Sequence, residues 1–339
     1  MEVANTTPGF GLLLDFRQKA PAAQGYGGYY AECLAQVQEA EALGFQSVWL
    51  SEHHCTLDGF LPSPLVAAAA IAARTSRIGI GTGVLALPLH HPLRVAEDAA
   101  VVDLLSGGRF LLGVGQGYAR REFEAFGVDR RQRPELLEDG IAIIRTAWEQ
   151  GRSGFQGASR RLPDLPFGPR PERRVPIYVG AVSRPAVERA VRLADGLIVY
   201  CGRAGDFAER WQLLRQVLAG RGEQGRRLPF VATGILHLHE DAGRAWREAA
   251  PAIAYLEGAL ARDAGRDGTT AAERPRRGDF LVGAPDEVAE ALARLHREVP
   301  FDQFAFWGRL PGLTHDQALR SMRLFSSEVA PRVRARARR

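Results

Sequence analysis

The chain of 339 residues predicts an α/β fold: a closed barrel of eight parallel strands alternating with helices, the (β/α)8 or TIM-barrel class. Three observations carry that expectation. Short apolar runs alternate with helical patterns along most of the length. Several of those runs, such as GFGLLLD at Gly9–Asp15 and IGIGTGVLAL at Ile78–Leu87, are continuous rather than alternating, as in parallel strands covered on both faces. Strand–helix alternation in turn builds right-handed βαβ units. A doubly wound open sheet is the alternative. It would place a glycine-rich turn after the first strand, where Asp15-Phe16-Arg17-Gln18 has no glycine.

The elements follow in order. Gly9–Asp15 reads as the first strand. Tyr29–Leu43 reads as a helix, with Leu34, Val37 and Ala40 at helical spacing and Gly44 as its stop. Ser47–Ser51 is the second strand, and Pro64–Arg74 an alanine-rich helix with proline in its first turn. Ile78–Leu87 and Arg109–Val114 are the third and fourth strands, followed by helices at Leu93–Leu105 and Glu135–Glu149. Residues 151–174 are rich in proline and glycine and read as an insertion before the fifth strand. Strands at Ile177–Gly180, Gly196–Tyr200 and Phe230–Leu238 then alternate with helices at Pro185–Ala194, Asp206–Ala219 and Ala242–Leu260. The polar stretch 258–279 reads as a mobile lid loop before the eighth strand, Gln303–Trp307, and Thr314–Val329 as the last helix. The expectation is one domain over 1–339.

Composition narrows the function. Hydrophobic residues at 46% and charged residues at 24% exclude a disordered or fibrous chain. The net charge is +5, and Lys19 is the only lysine among the 44 basic residues. The arginines are scattered among acids, which is codon bias rather than a nucleic-acid surface. Arg332, Arg334, Arg336, Arg338 and Arg339 read as a solvated tail. Three distant cysteines, with no CxxC, support neither a disulfide framework nor a zinc site. No uncharged apolar run reaches the roughly 18 residues of a membrane span, and Met1–Phe10 lacks a signal-peptide pattern, so the expected location is cytoplasmic.

In a barrel of this kind chemistry sits at the C-terminal ends of the strands. After the second strand comes Glu52-His53-His54: imidazoles suit proton transfer near neutral pH, and a neighbouring carboxylate can hold the tautomer. Adjacent strand residues point to opposite faces, so His53 and His54 do not readily share a metal ion, and none is expected. His90-His91, framed by Pro88 and Pro92, reads as a turn. Gly81-Thr82-Gly83-Val84 and Gly113-Val114-Gly115-Gln116-Gly117-Tyr118 exclude bulky side chains, so that a ring or phosphate can approach the backbone. In Gly180-Ala181-Val182-Ser183-Arg184-Pro185 the serine can cap a helix whose free N–H groups suit an anion, and Arg184 adds charge. Phe16, Tyr26, Phe60, Tyr200, Cys201 and Trp307 are the candidate lining of an apolar substrate pocket.

Several ordered segments resemble the bacterial luciferase-like family of flavin-dependent oxidoreductases. They are Val48–His54, Leu87–Arg94 with Ala96-Glu97-Asp98, Ser106–Tyr118 with Glu122-Phe123 and Phe126-Gly127, Leu165–Pro171, Ala194-Asp195-Gly196 and Val282–Glu287. The resemblance implies a barrel that is usually dimeric and binds reduced flavin. His53, preceded by Glu52, matches the family's catalytic histidine. Gly83 and Val84 match a pair joined by a non-proline cis peptide beneath the flavin, and Ser183 a phosphate-binding serine. Gln116 stands where luciferases carry a phosphate-binding arginine, a loss for which Arg120, Arg121, Arg133 or Arg184 can compensate. Gly115 replaces their reactive cysteine, and Val182 an acidic residue. The implied activity is that of a two-component monooxygenase: reduced FMN from a separate NAD(P)H–flavin reductase, O2 and an organic substrate. Gly115, Gln116, Gly117, Tyr118, Ala181, Val182, Ser183 and Arg184 are then cofactor contacts. A deazaflavin-dependent hydride transferase and a non-catalytic flavin-binding protein are the alternatives.

Overall fold

The structure, a computed structural model, describes residues 7–19, 25–263 and 276–337. Strands β1 (Gly9–Leu14), β2 (Ser47–Leu50) and β3 (Gly79–Thr82) are followed by the short β4 (Leu85–Ala86) and by β5 (Phe110–Gly115). A small antiparallel hairpin, β6 (Phe155–Gln156) and β7 (Arg161–Leu162), precedes β8 (Ile177–Gly180), β9 (Gly196–Tyr200) and β10 (Phe230–Gly234). Then come β11 (Leu236–Leu238), β12 (Leu281–Gly283) and β13 (Gln303–Trp307). Parallel pairing runs β1–β2–β3–β5–β8–β9–β10–β13 and returns to β1, which closes an eight-stranded barrel. The strands are buried on both faces because Leu13, Trp49, Ile198, Val231, Ala305 and Trp307 fill the interior while Leu12, Val48, Ile80 and Phe304 face the helices.

Helices α1 (Gly25–Ala42), α2 (Pro64–Ala72), α3 (Pro92–Leu105), α4 (Arg120–Ala125), α5 (Arg133–Gln150), α6 (Arg184–Leu193), α7 (Asp206–Gly220) and α8 (Ala242–Asp263) surround the barrel. They are joined by α9 (Pro285–Glu298), α10 (His315–Leu324) and α11 (Ala330–Ala337). Prolines occupy the first turns of α2, α3, α5, α6 and α9, where the missing N–H costs no intrahelical bond.

Four expectations change. The third strand is two pieces, β3 and β4, interrupted at Gly83–Val84, whose peptide bond is cis. Across that gap Thr82 Oγ1 donates to the Gly113 carbonyl at 2.6 Å and accepts from its N–H at 2.9 Å, so the side chain stitches β3 to β5 where the ladder stops. The seventh strand likewise breaks at Ile235, and β11 leaves the barrel to pair with β12. Helix α8 runs to Asp263 and a 3-10 turn covers Arg277–Asp279, so both ends of the stretch read as a loop are ordered; its centre, 264–275, lies outside the described residues. The arginine-rich end is not a solvated tail through Ala337. There, α11 buries Val333 and Ala337, Arg332 pairs with Asp286, and Arg334 covers the Phe10 ring at 5.1 Å. Arg338 and Arg339 are outside the described residues. None of the described helices is long and apolar enough to cross a membrane.

Candidate active site

The second strand ends at Leu50, and the chain leaves the barrel as Ser51-Glu52-His53-His54. The two imidazoles turn to opposite sides as the chain leaves β2. His53 faces the mouth. Its Nδ1 lies 2.7 Å from Glu122 Oε1, and its Nε2 3.1 Å from Tyr118 Oη. A carboxylate only accepts, so Nδ1 carries the hydrogen and Nε2 is left to accept from the phenol. Phe60 and Tyr118 meet the His53 ring edge-on, at centroid distances of 4.7 and 5.3 Å. Burial raises the Tyr118 hydroxyl well above its ordinary range, an effect that nearby Asp263 and Glu122 reinforce, so it stays a neutral donor.

Glu122 is 2% exposed and also accepts from the His54 N–H at 3.0 Å. It is the partner of His53 that sequence reasoning missed. It sits 69 residues from His53, on α4, a short helix that was not anticipated.

Glu52, expected to steady His53, faces away from it. Its Oε2 accepts from the Ala86 N–H at 2.5 Å, and its Oε1 lies 2.8 Å from His90 Nε2 and 3.3 Å from His54 Nε2. Burial pushes this carboxyl up, but the contacts from His54, His90 and Ala86 outweigh it and hold Glu52 at about 2.

Val84 is half-buried at the top of the interior cluster. A Cβ on Gly115 would come within 2.7 Å of Val84 Cγ2, and one on Gly180 within 3.0 Å of its Cγ1. A Cβ on Gly113 would lie 1.9 Å from the Thr82 carbonyl oxygen. Side chains at those positions would collide with Val84 or with the Thr82 carbonyl, so the glycines keep bulk out as expected. Gly117 has a φ of +69° and turns the chain over Phe123, and Gln116 beside it is half-buried.

Across the mouth Ala181 is buried, and Val182, Ser183 and Arg184 are exposed. Ser183 occupies the N-cap of α6 but makes no side-chain cap bond. Arg184 donates to Gln216 Oε1 at 2.7 Å, and Arg210 to the Val182 carbonyl at 2.9 Å. Arg120 pairs with Glu124, Arg121 with Asp263, and Arg133 donates to the Arg130 carbonyl.

A cavity of about 530 Å³ is lined by Tyr26, Tyr30, His53, Thr56, Phe60 and Pro62, with Gly27, Cys55 and Gly59. Of the residues expected to line a pocket, Tyr26 and Phe60 do. Phe16 and Cys201 are instead buried in the outer core, and Tyr200 and Trp307 pack edge-to-face inside the barrel.

Residues 9–302 match the family model described as luciferase-like monooxygenase. The chain is 34% identical over 244 residues to an F420-dependent glucose-6-phosphate dehydrogenase of Kineococcus radiotolerans, covering 69% of this chain and 71% of that one. It is 34% identical over 155 residues to the alkanal monooxygenase alpha chain of the Kryptophanaron alfredi symbiont, covering 45% of this chain and 43% of that one. Among solved structures it is similar to a monooxygenase from Streptomyces bottropensis, with a TM-score of 0.81 at 24% identity over 95% of this chain and 99% of that one.

Proposed function

The chain belongs to the luciferase-like monooxygenase family, and from that premise we propose that it is a two-component monooxygenase. It takes reduced FMN from a separate NAD(P)H–flavin reductase and uses O2 to oxygenate an apolar organic substrate. The observation that carries this reading is the His53 imidazole, anchored by Glu122 and opening on an aromatic pocket.

The residues present fit a flavin. Val84 offers a half-buried apolar floor at the barrel mouth. The exposed Ser183 hydroxyl makes no bond to its own helix and stands with the free N–H groups of α6, a setting suited to a phosphate. Bound there, reduced FMN supplies the electrons for oxygen activation.

The chain's own residues do the rest. His53 Nε2 takes or returns a proton at the mouth, and Glu122 stabilises the imidazolium that forms. Tyr118 extends the hydrogen-bonded path outward from Nε2. Tyr26, Tyr30, Phe60 and Pro62 bind apolar substrate surface and keep water out. Among the described residues the pocket lining is aromatic and apolar, with no guanidinium or ammonium group, which favours an apolar substrate over the sugar phosphate in the dehydrogenase relative's name.

That relative favours a second reading, hydride transfer to or from a deazaflavin at the same His53. Anaerobic titration of the purified chain with reduced FMN and with reduced deazaflavin tests the choice. The expected result is saturable binding of FMN at micromolar concentration and much weaker binding of the deazaflavin; the reverse order would favour hydride transfer.

A further inference from the structure

We propose that Glu52, His54 and His90 form a binding site for one divalent transition-metal ion of the zinc, cobalt or nickel class, on the opposite side of the β2 exit from His53. One ligand atom from each residue lies within 4.8 Å of the others. Glu52 Oε1 is 2.8 Å from His90 Nε2 and 3.3 Å from His54 Nε2. Atoms that share an ion through bonds of about 2.0–2.2 Å sit roughly 3.0–3.4 Å apart, so Glu52 Oε1 is already near ligand spacing from each imidazole.

The second observation is His54 Nε2 itself. The His54 side chain is only 10% exposed, and this nitrogen has no hydrogen-bond partner: Glu52 stands near it but out of line for a bond. A buried imidazole nitrogen that stands beside a carboxylate without a well-aligned bond is costly unless something else satisfies it.

The surroundings support a ligand set. Glu52 Oε2 is held by the Ala86 N–H, which turns Oε1 toward both imidazoles, as hydrogen bonds to a ligating carboxylate do. The Phe126 ring packs on His54 at 4.6 Å and gives an apolar cover. The His90 side chain is 27% exposed, an entry path and a place for water as a further ligand. Two imidazoles and one carboxylate select zinc, cobalt or nickel over magnesium or calcium, which prefer all-oxygen sites. Arg160, which donates to the His90 carbonyl at 3.2 Å, works against the ion and moderates its affinity.

A bound ion would cross-link the end of β2 to the turn after β4, close to Val84. The sequence hides the site because neither histidine doublet forms it. One histidine comes from each doublet, 36 positions apart, and the expectation of no metal site weighed the cysteine spacing and the His53-His54 doublet but not this pairing.

The test uses the chelator-treated, dialysed full chain without flavin, titrated with Co2+ by visible absorption and with Zn2+ by calorimetry. The expected result is one ion per chain, a cobalt spectrum of nitrogen–oxygen coordination and a higher melting temperature. His54→Ala and His90→Ala should each weaken binding by about a hundredfold or more, beyond the loss typical of an outer-sphere partner. His53→Ala should leave the metal affinity unchanged. His90 is partly exposed, so its variant is the one expected to keep the fold, checked by circular dichroism. No cobalt spectrum at millimolar ion, or binding that survives His90→Ala in a folded chain, would overturn the proposal.

Discussion

His53 and His54 are neighbours in sequence and occupy different worlds. The first faces the mouth, bonded through both ring nitrogens to Glu122 and Tyr118, with the pocket beside it. The second turns away toward Glu52 and His90, under Phe126. The split arises where the chain leaves β2, and each ring is then held by its own partners. The carboxylates divide likewise: Glu122, from α4, bonds His53, while the adjacent Glu52 meets His54 and His90. A doublet that reads as one site is two, and changes on either side should have separable effects.

The largest effect is expected at His53. General acid–base groups contribute on the order of 100- to 10,000-fold, so His53→Ala should lose turnover by that factor while reduced FMN still binds. Turnover within a few-fold of wild type would leave His53 with a structural role only.

Glu52 comes next, and its effect should be on stability. It is held at about 2 against an ordinary 4.5. A depressed carboxyl contributes stability that is fully present above its unfolded value and is lost as pH falls through the folded one. A depression of that size corresponds to about 3 kcal/mol. In urea melts the gap between wild type and Glu52→Gln should be widest above pH 4.5 and should close toward pH 2. A gap that does not change with pH would remove the ionised carboxylate from the explanation.

Glu122 sharpens the contrast from the other side. Glu122→Gln should lower turnover by about tenfold to a hundredfold, the usual loss when the group orienting a functional histidine is changed. Nitrogen NMR of the wild type should show His53 as the Nδ1–H tautomer, and a bias toward Nε2–H in the variant. An Nε2–H tautomer in the wild type would contradict the orientation given to the ring.

The smallest effect belongs to the far side of the mouth. Arg184 is already engaged by Gln216, so Arg184→Ala should weaken FMN only a few-fold, with riboflavin unaffected. Equal losses for both ligands would mean that the side chain does not sense the phosphate.

The barrel was legible because strands buried on both faces read as continuous apolar runs. Gln303–Trp307 and Gly196–Tyr200 appear in the structure with the expected bounds. The breaks were legible only in part. The resemblance implied the cis bond at Gly83–Val84, which is present, whereas the departure of β11 toward β12 rests on cross-strand pairing that leaves no local pattern. At the candidate site His53 stood out by composition and position. Glu122 did not, because a single acid on a short helix looks like any solvated acid until the chain folds it against an imidazole 69 residues away. The glycines were legible as positions that exclude bulk, and the neighbour that imposes this on Gly115 and Gly180, Val84, is visible only in the fold.

The central claim is that His53 and its pocket serve oxygenation with reduced FMN. Its most direct test supplies the purified chain with FMN, an NAD(P)H–flavin reductase, ¹⁸O2 and a panel of apolar carbonyl and aromatic compounds. The expected result is a product carrying one ¹⁸O atom, formed by the wild type and lost in His53→Ala. A product formed without ¹⁸O, under anaerobic conditions and with reduced or oxidised deazaflavin in place of FMN, would contradict it.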